Sequence, residues 1–302
     1  MLVDVVAPQF VGRSLEEQRA ALDAMGSQAE MPAGMMVARS SLAGVPLEQL
    51  TPANRERRVV LYVHGGGFTM GSCESHRALA GRIGAACRAR VVLPEYRLAP
   101  EHPFPAGLED LVAVYRALLA SGTPAEQIIV VGDSAGGGLA VSMLLRAREA
   151  GLPSPRAMVL LSPWLDLTCS GESMQTRADV DPWLRPDMCL AIRDFYLADA
   201  DPSQTLASPL MAELAGLPPM LIQVGDHEIL LSDAKRMAVR AWAAGIDAEL
   251  QVSPDLWHVF QLFAPMLPDA VEAIERIGTF VDQRFEQPAV ERFAARPLRR
   301  VG

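Results

Sequence analysis

Hydrophobic and polar positions along the chain fall into two alternating rhythms. Short apolar, β-branched runs recur as RVVLYVH (58–64), ARVVLPEYR (89–97), QIIVVGDS (127–134), RAMVLLSPW (156–164), PPMLIQVGD (218–226) and DAELQVSP (247–254), the pattern of strands buried in a sheet. Between them, apolar residues spaced by three and four mark helices over 75–88, 107–121, 136–150, 232–244 and 268–285. Parallel strands need crossover connections, so this alternation predicts an α/β fold: a mostly parallel central sheet with helices on both faces. Two segments break the rhythm. The first 40 residues are helical in tendency and precede the first clear strand, and residues 165–205 are rich in Asp, Pro, Met and aromatics. An insertion after a strand's C-terminal end sits above the sheet, where open α/β sheets place their ligands. The expected organisation is therefore N-terminal cap helices over 1–40, a core over 41–290 with a cap insertion at about 165–205, and a C-terminal tail over 291–302.

Composition narrows the function classes. A net charge of −9 over 302 residues, with no run of Lys or Arg forming a basic stripe apart from a few arginines in the last eleven residues, argues against nucleic acid as a partner. No 18-residue apolar run could span a bilayer and no signal-peptide pattern opens the sequence, so the expected location is the cytoplasm and no membrane insertion is expected. Cys73, Cys87, Cys169 and Cys189 are widely spaced, without a C-x-x-C pair or a histidine cluster, and read as free thiols rather than a disulfide framework or zinc site.

The chemistry is carried by three short stretches. Gly132-Asp133-Ser134-Ala135-Gly136 fits G-x-S-x-G between a predicted strand and a predicted helix, the strand-turn-helix context in which a strained serine is presented as a nucleophile. A glycine-flanked serine can also be an ordinary helix N-cap, and the flanking elements decide for the nucleophile. A serine hydroxyl needs a base and an oxyanion site. His64-Gly65-Gly66-Gly67, at the end of the first strand, offers N–H groups free of side-chain obstruction, and Gly66 and Gly67 with Ala135 are the expected oxyanion donors. A phosphate cradle would need a following Gly-Lys-Ser/Thr, which is absent. Of the five histidines, His258 follows the last strand and suits the base; His64 ties the glycine loop, His76 and His102 are expected at the surface, and His227 in a loop.

These motifs resemble the hormone-sensitive-lipase-like esterases of the α/β-hydrolase fold, also called bacterial family IV. The matching stretches are HGGG (64–67), YRLAPEHPFPA (96–106), GDSAGGGLA (132–140), SPWLDLT (162–168) and WH (257–258), in the family's order. The resemblance implies a serine carboxylesterase acting on short- to medium-chain esters without a cofactor, a helical cap, and pairing of copies through the edge strand near 247–254. Its usual acid pattern, D-x-L-x-D-E, is altered here to VGDHEILLSDA. Aligning on Leu230 puts Glu228 in the acid's place and leaves Asp226 two residues early as the alternative, while Asp133 beside the nucleophile is expected to be structural. The expected triad is Ser134, Glu228 and His258. The same triad could cleave a lactone or an N-acetyl amide. A non-catalytic receptor on the same fold would lack the histidine that stands here at 258, and a metal-dependent hydrolase has no H-E-x-x-H motif or ligand cluster behind it.

Overall fold

The computed structural model describes residues 12–286; the tail expected at 291–302 lies outside the described residues. Helix α1 (Leu15–Gln28) opens with a reciprocal capping box between Ser14 and Glu17. A hairpin follows, β1 (Met36–Leu42) and β2 (Val45–Thr51), and then the alternating series: β3 (Val59–Val63), α2 (Cys73–Ala86), β4 (Arg90–Pro94), α3 (Ala106–Ala120), β5 (Ile128–Asp133), α4 (Ala135–Glu149) and β6 (Ala157–Leu161). The chain continues through a short helix α5 (Ser173–Thr176), α6 (Pro186–Leu197), β7 (Met220–Gly225), α7 (Leu231–Ala243), β8 (Ala248–Ser253) and α8 (Pro268–Glu286).

All eight strands form one sheet in the order β1-β2-β4-β3-β5-β6-β7-β8, antiparallel at β1/β2 and β2/β4 and parallel from β4 to β8. The period of two in each central strand sends alternate residues to opposite cores. Leu61, Val130 and Leu160 meet α3, α4 and α7 on one face, while Val60, Ile129 and Val159 meet α2 and α8 on the other. Of the segment expected as cap helices over 1–40, residues 1–11 lie outside the described residues, and the β1–β2 hairpin begins inside it at Met36, ahead of the first strand read from the sequence. Its first strand is exposed at six of its seven positions, so it carries no buried apolar run to read.

The parallel strands all end at the same edge of the sheet, which collects the segments that follow β3, β5, β7 and β8. The insertion between β6 and β7 lies over that edge. There Tyr196 of α6 stacks on Phe68 at 3.8 Å between ring centres, and its carbonyl accepts the N–H of Phe104. Helix α1 is tied to the same region by Arg19, which donates to the carbonyls of Thr69 and Ala99 and pairs with Glu101.

Candidate active site

Ser134 sits where β5 turns into α4, with φ +53° and ψ −126°, a conformation that costs a non-glycine residue free energy and holds only when the surroundings impose it. They do so from both sides: its N–H donates to Leu161 O at 2.8 Å, and its carbonyl accepts the N–H groups of Trp164 and Gly137 at 2.9 and 3.0 Å. Glycine is required at 136 because a Cβ there would run into the carbonyls of Val63 and His64.

The structure brings Ser134, His258 and Glu228 together from the ends of three strands. His258 Nε2 lies 2.9 Å from Ser134 Oγ, and its Nδ1 lies 3.0 Å from Glu228 Oε2. All three side chains are buried, Glu228 completely. The other carboxylate oxygen of Glu228 accepts the Gly225 N–H at 2.6 Å and the Ser162 hydroxyl at 2.9 Å. Burial disfavours the His258 imidazolium, but the hydrogen bond and charge of Glu228, with the charges of Asp181 and Asp133, more than offset it and raise the pKa above the ordinary histidine value. Such a chain can pass a proton from hydroxyl to imidazole while the carboxylate balances the charge that appears.

Asp226 lies outside this chain. Its Oδ1 accepts the N–H of Asp255, and with His227 and Asp255 it forms a surface group whose donor atoms lie within 4.8 Å of one another. Among the described residues it is the one trio spaced to hold a metal ion, and the Ser134–His258–Glu228 hydrogen bonds do not pass through it.

Gly66 and Gly67 follow β3 with φ +114° and +61°, and Ala135 is the first residue of α4. None of these three N–H groups has a protein acceptor among the described residues. Ile192 of α6 reaches over this loop, 3.0 Å from where a Cβ on Gly67 would stand. Underneath, Asp133 holds the loop to the nucleophile turn: Oδ1 accepts the Gly65 N–H at 3.0 Å and the Tyr62 hydroxyl at 2.8 Å, and Oδ2 lies 3.3 Å from His76 Nε2. His76 is thus a correction to the surface placement expected from its polar neighbours, being 2 % exposed. On α2 it joins Leu79, Ala80 and Ile83 in one buried stripe. Burial and the neighbouring His76 push the His64 pKa down to about 4, and its ring stacks on Tyr96 at 4.2 Å with Nδ1 2.8 Å from Gly65 O. His102 is exposed and His227 half-exposed in a loop.

Sequence reasoning passed over Asp181, in the insertion. Its buried carboxylate accepts the N–H groups of Trp183 and Leu184 through Oδ1 and that of Ile229, the residue after Glu228, through Oδ2. The insertion is thereby hydrogen-bonded to the acid's own loop.

Comparison with known proteins agrees with this architecture. Residues 60–262 match a family model described as alpha/beta hydrolase fold. An acetyl-hydrolase of Streptomyces hygroscopicus is 44% identical over 234 residues, 78% of each chain. A crystal structure of an esterase from the bacterial hormone-sensitive lipase family superimposes with a TM-score of 0.91 at 42% identity, over 94% of this chain and 96% of that one. The esterase EstE5, crystallised and soaked with p-nitrophenyl butyrate, gives 0.89 at 39% identity over 95% and 96%. The chain belongs to the α/β-hydrolase family, among its hormone-sensitive-lipase-like esterases.

Proposed function

We propose that the chain is a serine carboxylesterase that cleaves short- to medium-chain carboxylic esters through an acyl-enzyme on Ser134. The observation that carries this reading is the 2.9 Å contact between Ser134 Oγ and His258 Nε2, continued at 3.0 Å to Glu228. Ser134 Oγ attacks the ester carbonyl as His258 Nε2 takes its proton, and Glu228 stabilises the imidazolium. The tetrahedral oxyanion is met by the N–H groups of Gly66, Gly67 and Ala135. His258 returns the proton to the leaving alkoxide, and the alcohol departs. A water deprotonated by His258 then attacks the acyl-enzyme, releasing the acid and restoring the Ser134 hydroxyl.

The segment 165–205 serves as the cap of this site, with the first helix beside it. The substrate is a small molecule; among the described residues no helix is long and apolar enough to cross a membrane. The four free cysteines suit a reducing compartment, which supports the cytoplasm. Strand β8 forms one edge of the sheet and offers a second copy of the chain an unpaired ladder. A second reading, removal of an acetyl group from an alcohol or amine, is favoured by the name of the Streptomyces relative.

The test is turnover of p-nitrophenyl acetate together with labelling by a serine-directed phosphonate. Ser134→Ala should stay folded, resist labelling and lose about 10³-fold or more in kcat/KM, and EDTA should leave the rate unchanged. Wild-type turnover by the folded variant would end the reading.

A further inference from the structure

The stretch Leu161-Ser162-Pro163-Trp164 binds two members of the proposed triad directly, Ser134 and Glu228, and holds the residue that follows the third, His258. Leu161 O and Trp164 N bind the backbone of Ser134. Between them, the Ser162 hydroxyl donates to Glu228 Oε1 at 2.9 Å and accepts the backbone N–H of Val259, the residue after His258, at 3.0 Å. A hydroxyl has one proton to give and lone pairs to receive, and here the donor is spent on the acid while an acceptor position serves the loop that carries the base.

Backbone geometry makes the arrangement more specific. Ser162 and Val259 are both in the left-handed region, at φ +44° and +46°, and both are buried, Ser162 completely. For a β-branched valine this conformation is an outlier that something must hold in place. Ser162 is itself held by its N–H to Gln223 O at 2.7 Å, on the strand that leads to Glu228.

From this geometry we infer that Ser162 is a positioning residue: its hydroxyl sets the distance and angle between Glu228 and His258 by fixing the carboxylate from one side and the histidine loop from the other. The inference rests on the triad reading above. Removing the hydroxyl leaves the buried Val259 N–H without its partner, takes one donor from Glu228 and allows both loops to relax. It leaves the substrate-contacting groups in place, so the loss falls on kcat.

The experiment compares Ser162→Ala with Ser162→Gly and Ser162→Cys, using p-nitrophenyl acetate. Ser162→Gly tolerates the left-handed backbone without strain, so a role confined to backbone shape predicts wild-type kcat for it. Positioning through the hydroxyl predicts that Ala and Gly alike lose about 10- to 100-fold in kcat, the scale of a hydrogen bond to a charged group, with KM nearly unchanged. It also predicts weakening or loss of the downfield proton resonance of the His258–Glu228 hydrogen bond. Ser162→Cys, with a weak donor of similar shape, should recover part of both. A folded Ala or Gly variant with wild-type kcat and an unaltered resonance would overturn the inference; should neither fold, wild-type values in Ser162→Cys would do the same. Phosphonate labelling of wild-type Ser134 separates the two levels: its absence would refute the triad reading, whereas labelled wild type with unaffected Ser162 variants would refute only the positioning role.

Discussion

Glu228 Oε2 and His258 Nδ1 lie 3.0 Å apart, both buried, while the carboxylate two residues earlier accepts the N–H of Asp255 at the surface. Glu228→Gln should keep the shape, disfavour the working imidazole tautomer and leave the imidazolium without its counter-charge. The expected loss is about 10²- to 10⁴-fold in kcat. Asp226→Asn should cost less than about threefold, since it keeps an acceptor for the Asp255 N–H and removes only a surface charge away from the triad. Parallel kinetics on the two variants check this, and a crippled Asp226→Asn beside an active Glu228→Gln would reverse the assignment.

Asp181 adds a second carboxylate whose charge supports the His258 imidazolium. The base works only when neutral, so kcat/KM should fall as pH drops through the raised His258 pKa, above the ordinary histidine value. Asp181→Asn keeps an oxygen acceptor for the N–H groups of Trp183 and Leu184 but removes the charge, and should move that acidic limb to lower pH. The same raised pKa makes the His258 charge stabilising below the unfolded value of about 6.5, with that contribution lost as pH rises through the folded pKa. Melting temperatures of wild type and His258→Gln should therefore differ more in mild acid than at alkaline pH.

Asp133 is held below its usual pKa: burial opposes ionisation, but His76 and the Tyr62 hydroxyl outweigh it. Asp133→Ala would orphan Gly65 N–H, Tyr62 and His76 together, at a cost of about 3–5 kcal/mol, the scale of breaking a buried pair. Asp133→Asn keeps an acceptor and should cost less. Denaturant unfolding measures both, and equal stability of the two variants would contradict the account.

Much of this was legible because each signal is local. Residues 128–131 are an unbroken apolar run and the helix stripes repeat at three and four residues, so the parallel sheet could be read without tertiary information. The glycines around Ser134 likewise mark a backbone crossing that only they permit. What stayed hidden depends on partners far away in sequence. Asp181 looks like one of several acids in a polar insertion until Ile229 is placed against it. His76 looks exposed beside Ser75 and Arg77 until Asp133 arrives from β5. Strand β1 has no buried face to betray it, since its pairing with β2 is made by backbone groups that every sequence possesses.

The proposed cap supplies the last prediction. Trp183, in the turn that Asp181 organises, meets Phe263 edge-on at 6.1 Å, and Phe263 meets Trp257 in the same manner at 5.6 Å. Trp257 immediately precedes His258, so these rings link the insertion to the base's loop. An edge-to-face contact is worth about 0.5–1.5 kcal/mol, or about 2- to 13-fold in a binding constant. If the ring walls the acyl or alcohol channel, Trp183→Ala should change KM for longer p-nitrophenyl esters by that factor and leave kcat/KM for the acetate within about twofold. If it only packs the insertion against the core, the variant should lose stability and retain the wild-type order of chain lengths. Kinetics across acetate to octanoate esters, with a melting curve on the same sample, distinguishes the two, and an unchanged chain-length order would remove Trp183 from the substrate channel.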